Sequence, residues 1–505
     1  MNSPPPEIPP RPTPQRSTFG HAIQRARKPN REHMERLRER VPYWFVAGIL
    51  YLFASYQILM NPFGFSDLTQ RYTQDIAELL ITGPYFYPTT GHDHVSVALI
   101  EDDTLHALQM PWPWKYGDHA RALDALLEYH PKAVVVDILF VDPRKDDTLP
   151  QLVEEIARYK RAGVPLYFTA ATDTQPGEYP LRKELSDTSV RQVDPTIMIN
   201  GGIARQYPVT GRCFGRDVGK GTCRSLALRV FEDNYPKVFV PPLEGDMELV
   251  WGTRTDPINN KWMRVQNDDG TVGNCEPRVS GLARIGDAFM DMSAVRVRCP
   301  YTSVIPAESL FSGVEDPDVV KLTQGRIVFY GAALQGVEDR SFTPVNGLLP
   351  NVFIHAMALD NLFSFNGRPQ QNVVTIGGTT LESNPAQLLA IVPVILILSW
   401  IHMQRLKAIK RRKARPGESE TSAALEYFLE KLMEFGWHLL ALGLALGAGL
   451  ALMLWLGLSV ANWVEVVFVS IELAAMLLVS VPDAIWGYLH HVFGGKPDFP
   501  EEQQS

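Results

Sequence analysis

Four apolar runs, each close to the length of a bilayer-spanning helix, constrain this chain more than any other feature. They cover residues 41–61, 386–404, 436–459 and 461–481. A helix needs about 20 mostly apolar residues to cross the hydrocarbon core of a membrane. The sequence therefore predicts four transmembrane α-helices, with the long polar region 62–385 forming a domain outside the bilayer.

Two basic clusters predict the orientation of these helices. Residues 1–40 begin as a Pro-rich stretch, expected to be disordered, and end in a basic segment; residues 405–435 form a basic loop and an amphipathic helix. Loops rich in Lys and Arg stay in the cytoplasm. Residues 62–385 are then exported, and the acidic tail 482–505 returns to the cytoplasm. A cleaved signal peptide is the alternative for the first run, but its basic region is too long and no small-residue cleavage site follows.

All four cysteines lie in the exported region: Cys213, Cys223, Cys275 and Cys299. An even set confined to an exported domain predicts two disulfides in an oxidising compartment. Of the three pairings, we expect the two short loops, Cys213–Cys223 and Cys275–Cys299. A zinc site is the alternative, although the Cys-x-x-Cys spacing typical of such sites is missing.

The stretch from Val95 to Asp142 predicts an α/β fold. Val95–Glu101 is a β-branched, apolar strand, and Asp118 is the expected N-cap of a helix that runs to His130. Ala133–Val141 is a second strand, apolar except for Asp137. Nearly continuous apolar strands are typical of parallel sheets covered on both faces. We therefore expect a mostly parallel sheet with flanking helices.

The same alternation continues along the exported region. The patterns predict strands at 164–170, 247–251 and 326–331, helices at 149–161, 224–233 and 351–363, and a short helix start at 306–311. Between about 173 and 300 the sequence predicts a long, irregular, cysteine-bearing insertion.

Acidic residues should gather at one rim of this sheet, because pockets of parallel sheets lie beyond the carboxyl ends of their strands. The residues expected there are Asp102, Asp103, Asp142, Asp146 and Asp147. They either cap helices and turns or hold a divalent cation, since Ca²⁺ and Mg²⁺ prefer carboxylate oxygens. No cofactor is predicted otherwise.

Three further features have two interpretations each. Asp137, within an apolar strand, must be hydrogen-bonded or paired, in a structural role or against a ligand. Trp112 and Trp114 either stack on a cyclic ligand or cover the sheet. His355 is either a ligand contact or a satisfied structural histidine. We expect Asp102, Asp137 and His355 to converge at one edge, the first two on adjacent strands.

Several blocks in order carry a family resemblance: ALIEDDTL, MPWPW, KAVVVDILF and RIVFYGAALQGVEDRSFTPVNGLLPNVFIHAMALDNLF. Over about residues 70–365 the chain resembles the second class of CHASE domains, extracellular sensory domains associated with cyclases and histidine kinases in bacteria. The resemblance implies an α/β sensor in the periplasm, anchored in the bacterial inner membrane. By this resemblance, the family's motif positions are occupied in this chain by Asp102, Trp112, Pro113, Asp137, Gly331, Asp339, Thr343, Pro344 and His355.

The chain departs from the family in three ways. Asn351 stands where the family tends to have Gly, and the cysteine-bearing insertion is unusual. No Gly-rich phosphate loop, kinase His box or cyclase Asp pair appears, so we expect no catalytic output module.

The function expected from these features is that of a receptor, not an enzyme, which signals through a separate partner. The candidate ligand-binding residues are Asp102, Asp103, Trp112, Trp114, Asp137, Asp142, Asp339 and His355. The alternative is a structural or docking subunit of a membrane or envelope assembly. A net charge of −8 gives no indication of nucleic-acid binding.

The third and fourth runs predict where a partner binds. Gly443, Gly447 and Ala451 recur every four residues, a spacing that lets helices approach closely. Glu465 and Glu472 are seven residues apart, and an ionisable group inside a membrane is expected to face protein. We expect these residues to contact a second copy or a different membrane protein.

Overall fold

The computed structural model describes residues 78–141, 145–171, 180–188, 190–200, 202–219, 221–243, 245–266, 272–275, 298–313, 316–334, 336, 339–371, 373–376, 379–382 and 391–397, with isolated positions between 48 and 75 and between 388 and 451. The chain divides into two compact units. One, residues 55–391 with 446–471, contains the α/β domain; the other comprises 1–54, 392–445 and 472–505. Among the residues described, no helix combines the length and apolar character needed to cross a membrane.

The strands, in chain order, are β1 (Val95–Glu101), β2 (Ala133–Asp137), β3 (Leu166–Thr169), β4 (Arg191–Val193), β5 (Met198–Asn200), β6 (Ile203–Tyr207), β7 (Thr210–Gly211), β8 (Cys223–Arg224), β9 (Met247–Glu248), β10 (Arg264–Gln266), β11 (Val272–Asn274), β12 (Ser303–Pro306), β13 (Ile327–Ala333), β14 (Arg340–Thr343), β15 (Gly347–Pro350), β16 (Val373–Ile376) and β17 (Thr379–Glu382).

The α-helices are α1 (Asp102–Leu108), α2 (Tyr116–Glu128), α3 (Leu149–Ala162), α4 (Lys183–Ser186), α5 (Leu226–Asn234), α6 (Pro257–Trp262), α7 (Pro317–Thr323) and α8 (Asn351–Ser364). A π-helix covers Glu78–Phe86, and 3₁₀ turns cover Gly215–Asp217 and Ala307–Phe311.

The main sheet has six strands in the order β12-β1-β13-β2-β3-β4, all parallel. The mostly parallel α/β fold expected from the sequence is thus confirmed. The expectation that β1 and β2 are adjacent is wrong, because β13 lies between them and pairs with both. β13 lies nearly 200 residues further along the chain, so local sequence patterns give no sign of this insertion.

The two faces of the main sheet bury two separate apolar clusters, because successive side chains along a strand point to opposite faces. Val135 packs with the cluster that contains α5 and α8. Val134 and Val136 pack with the cluster that contains α2 and α3. Both faces are covered, which explains why these strands are apolar at nearly every position.

Part of the insertion that we expected to be irregular is ordered. A second sheet runs in the order β15-β14-β6-β5, with β9 pairing on β6. It joins short strands of the insertion to β14 and β15, which follow the main sheet in sequence. Each strand is only two to five residues long, too short for a clear periodic signal.

Both expected disulfides are present with the expected pairing. Cys213 bonds Cys223 and Cys275 bonds Cys299, at Cα–Cα distances of 5.1 and 4.9 Å. Both distances fall in the normal range for disulfides.

Two local expectations need correction. Lys115, not Asp118, is the N-cap of α2, and Asp118 lies in the first turn, where its carboxylate accepts a hydrogen bond from Lys115 N at 3.2 Å. β2 ends at Asp137 and not at Val141. Asp137 is therefore the last residue of its strand and lies at the carboxyl end of the sheet.

Candidate functional site

The carboxyl ends of the three central strands form the candidate site. We call it the carboxyl rim; it comprises Glu101, Asp137, Gly331–Ala333, Asp339 and Asn351. Glu101 is the last residue of β1 and lies opposite Ala333, and Asp137 is the last residue of β2 and lies opposite Gly331. Two carboxyl groups thus flank a Gly-Ala-Ala segment at the carboxyl end of the sheet.

Asp137 is the most unusual residue of the rim. By strand alternation it shares the face of Val135, which is the face covered by α8. Removal from water, together with the nearby charge of Asp339, raises its pKa from 3.8 to about 7. No side chain or backbone group in the described part of the chain donates a hydrogen bond to it. Asp137 ends its strand and keeps some exposure to solvent, so the partner that the sequence argument required for an interior position need not come from the chain.

Gly331 lets the first turn of α8 approach the sheet beside Asp137. A Cβ at Gly331 would lie 3.1 Å from Val352 Cγ2, closer than ordinary carbon–carbon contact. This packing accounts for a glycine at the family motif position, since a larger residue would push α8 away from the rim.

Asn351 fixes the start of α8 to the rim. Its Nδ2 donates to Asp339 Oδ1 at 2.6 Å, and its Oδ1 accepts from Ser341 Oγ at 2.7 Å. Asn351 N also donates to Asp339 O at 3.1 Å. Burial raises the pKa of Asp339, while the hydrogen bond from Asn351 opposes that shift. The residue that departs from the family pattern therefore holds one of the family's motif aspartates.

Glu101 is a rim residue that sequence reasoning passed over in favour of the aspartates after it. Burial raises its pKa to about 8, and the neighbouring charges of Glu308 and Asp103 add to the shift. The nearby Arg340 opposes it and donates to Ala333 O at 3.3 Å. Its position at the strand end was the available signal; Glu308 and Arg340 come from distant segments and gave none.

The aspartates expected at the rim have different surroundings. Asp102 and Asp103 lie in the first turn of α1, where negative charge is favoured by the helix dipole. Asp146 accepts hydrogen bonds from Tyr116 N at 2.6 Å and Thr148 N at 2.9 Å, a capping role. Asp142 lies outside the described residues. No group of three His, Cys, Asp or Glu suited to a metal ion occurs among the residues that the structure describes.

The two tryptophans are placed differently from each other. Trp114 is 1% exposed and packs edge-on against Phe311 with ring centroids 5.7 Å apart, so it covers the sheet. Trp112 precedes a cis peptide bond to Pro113 and is half-buried. Of the two, only Trp112 is partly exposed to solvent.

His355 is a satisfied interior histidine. Its Nδ1 lies 2.7 Å from Tyr207 Oη, and the side chain is 1% exposed. Burial lowers its pKa to about 4, so the ring is neutral at pH 7. His355 and Asp137 share the α8 side of the main sheet, whereas Asp102 lies beyond the end of β1 in α1, on the far side of β13.

A serine, a histidine and an aspartate also meet away from the rim, but without the geometry of a hydrolase. Ser303 Oγ donates to Asp256 Oδ2 at 2.7 Å, and His92 Nε2 lies 3.3 Å from the same hydroxyl. In a catalytic triad the carboxylate binds the histidine and not the serine. Asp256 also caps α6 by accepting from Ile258 N at 3.0 Å, so this group is structural.

A surface cavity of about 190 Å³ lies at the amino ends of β3 and β4, beside Val164, Pro165 and Arg191. Arg191 is already paired with Asp233 at 2.8 Å. The rim therefore remains the better candidate on chemical grounds.

The residues expected to contact a membrane partner are only partly described. Gly443, Gly447 and Ala451 are helical and exposed, and a Cβ at either glycine would meet no atom within 4 Å. Glu465 and Glu472 lie outside the described residues.

Comparison with known families supports the resemblance seen in the sequence. The family model described as CHASE2 domain matches residues 46–398, well over half of the chain. Comparison with curated proteins and with solved structures gives no match. The matched range contains the main sheet, the carboxyl rim and α8. The chain therefore belongs to the CHASE2 family of extracellular sensory domains.

Proposed function

We propose that this protein is a bacterial inner-membrane receptor whose periplasmic α/β domain binds a ligand at the carboxyl rim. It signals through a separate partner and carries out no reaction itself. Membership in a family of sensory domains supports the sensory role. Two disulfides support an oxidising compartment, and the basic segments beside the predicted spans support the orientation.

Asp137 is the single observation that carries the proposal of a rim site. A carboxyl group that has lost part of its hydration gains from a hydrogen-bond donor, because the donor offsets the lost contacts with water. Asp137 retains some exposure at the rim while its surroundings raise its pKa to about 7. A ligand that brings an amine, amide or hydroxyl donor would supply the missing partner.

Thermal unfolding of the full-length protein in detergent tests this proposal. Compounds with amine, amide or hydroxyl donors are screened for an increase in the melting temperature. A ligand at 100 times its Kd adds about 2.7 kcal/mol to the free energy of unfolding. We expect Asp137→Leu to abolish that gain and Glu154→Gln, on the exposed surface of α3, to preserve it. A ligand that stabilises wild type and Asp137→Leu equally would place its site elsewhere.

A docking role is the second candidate, and an exposed apolar side chain beside the rim favours it. Leu139 is 50% exposed two residues after Asp137, and Phe342 on β14 is 40% exposed. A partner protein that covers the rim would also remove the apolar surface of Leu139 from water. Co-purification of an envelope protein that is lost in Leu139→Ser would favour this role over ligand sensing.

A further inference from the structure

The segments that lead to the first two predicted membrane spans meet at one place in the α/β domain. We call residues 78–91 the first exit segment, because they follow predicted span 41–61. We call residues 360–371 the second exit segment, because they precede predicted span 386–404. The second exit segment begins in the last turns of α8.

A buried carboxyl group on α8 binds the first exit segment. Asp360 is fully buried, and its Oδ1 accepts a hydrogen bond from the Tyr87 hydroxyl. Ser364 Oγ lies 3.0 Å from the same oxygen and 3.1 Å from Pro88 O, and it accepts from Gly91 N at 3.1 Å. The two exit segments are thus joined by one buried and several partly buried polar contacts.

Gly91 shows how closely the two exit segments approach. A Cβ at this position would lie 2.4 Å from Asp360 Oδ1 and 2.5 Å from Asp360 O. No side chain larger than hydrogen fits without displacing α8 or the first exit segment.

Both exit segments also bind the same short stretch, residues 248–251, which begins at the end of β9. Trp251 N donates to Glu78 Oε1 at 2.5 Å, and Glu248 N donates to Gln370 O at 2.9 Å. Asn361, on α8, accepts from the backbone N of residue 250 at 3.0 Å and donates to its carbonyl oxygen at 3.0 Å. Displacement of either segment therefore disturbs contacts of the other.

The opposite end of α8 belongs to the carboxyl rim. Asn351 binds Asp339 and Ser341, and Val352 packs on Gly331. The helix between the two ends is continuous and buried from Val352 to Leu362. Its 14 residues span about 21 Å at 1.5 Å per residue. One rigid element thus touches the rim with its first turn and both exit segments with its last turns.

We propose that α8 couples the carboxyl rim to the two exit segments, so that a change at either end of the helix alters the stability of the other. The ligand rests on the proposed function above, but the coupling is a property of the chain and is measurable without a ligand. Coupling between two sites is reciprocal, and a packed helix with contacts at both ends is a physical carrier for it.

Hydrogen exchange of the full-length protein in detergent tests the coupling from both ends. Tyr87→Phe removes the hydroxyl that binds Asp360, and Asn351→Ala removes the side-chain contacts to Asp339 and Ser341. We expect Tyr87→Phe to speed exchange at residues 331–352, and Asn351→Ala to speed exchange at residues 87–91, each by about fivefold or more.

Tyr159→Phe is the matched control. It removes the hydroxyl of another buried tyrosine, which donates to Leu123 O at 2.7 Å on the other face of the main sheet. We expect it to leave exchange at both ends of α8 unchanged. Ser364→Ala is the alternative to Tyr87→Phe if that variant does not fold, because it keeps the bond between Tyr87 and Asp360.

Faster exchange confined to the mutated end, in both directions, would overturn the coupling. So would an equal response at both ends to Tyr159→Phe, since that would report general loosening. Loss of ligand binding at Asp137 and loss of reciprocal exchange are separate results. Failure of the proposed ligand site therefore does not count as failure of the coupling.

Discussion

Replacing Asp137 by Asn should remove a pH-dependent loss of stability. In the unfolded chain this carboxyl group ionises near pH 3.8, whereas in the folded protein its pKa is raised to about 7 by burial and by Asp339. The folded state therefore holds the proton over a range in which the unfolded state has lost it. The free energy of unfolding then falls as pH rises through this range and levels off above about pH 7. Asn keeps the shape of the side chain and does not titrate.

The magnitude follows from the size of the pKa shift. One pKa unit corresponds to 1.36 kcal/mol, so a rise from 3.8 to about 7 corresponds to about 4 kcal/mol as a ceiling. Between pH 5 and pH 8 the expected loss is about 2.5 kcal/mol, because part of the transition lies below pH 5. Glu101, with a pKa of about 8, and Glu248 and Asp360, with pKa values of about 7, act in the same direction. Their contribution is common to wild type and variant, so it cancels in the difference.

Urea unfolding of the full-length protein in detergent, followed by tryptophan fluorescence, measures this difference. The quantity to compare is the free energy of unfolding of Asp137→Asn minus that of wild type. We expect this difference to be about 2.5 kcal/mol larger at pH 8 than at pH 5, with unchanged denaturant slopes. Glu154→Gln controls for the loss of one carboxyl group at an exposed position. A wild-type-to-variant difference that stays within about 0.5 kcal/mol between the two pH values would refute the desolvation of Asp137.

Three other changes have defined outcomes. Replacing Cys275 and Cys299 together by Ala opens a loop with a sequence separation of 24 and should lower the free energy of unfolding by about 3.5 kcal/mol, measured by urea unfolding; an unchanged midpoint would contradict the disulfide's role. Gly91→Ala should cost about 1–3 kcal/mol through overpacking against α8, visible as a lower melting temperature, and an unaltered melting temperature would contradict the close packing. Gly447→Leu and Glu472→Leu should each weaken co-purification of a membrane partner or a second copy while the α/β domain stays folded; if both variants keep their partners, the third and fourth runs serve only as anchors.

Much of the local structure could be predicted from the sequence, because short-range patterns have local physical causes. Apolar β-branched runs predicted β1, β2 and β13, since a strand buried on both faces must be apolar throughout. The helix at residues 351–363 was correct to one residue at its end. Cysteine number and spacing predicted both disulfides.

The composition of the carboxyl rim was decided by tertiary structure. β13 lies between β1 and β2 because strand order depends on which surfaces bury each other, a non-local choice with no mark in either strand. Glu308, Arg340 and Asn351 reach the rim from segments far along the chain. The short strands of the second sheet are set by pairing with β6 and β14, not by their own propensity.

Asp137 illustrates the difference between what the sequence determined and what the tertiary structure decided. The sequence by itself determined that a carboxyl group follows an apolar parallel strand, and hence that this residue would be costly to bury without a partner. Only the tertiary structure decided that it ends its strand beside Gly331, under the first turn of α8, with no donor from the described chain. The physical reason is the range of the interactions involved. Strand and helix formation depend on neighbours in sequence, whereas desolvation depends on every segment that packs nearby.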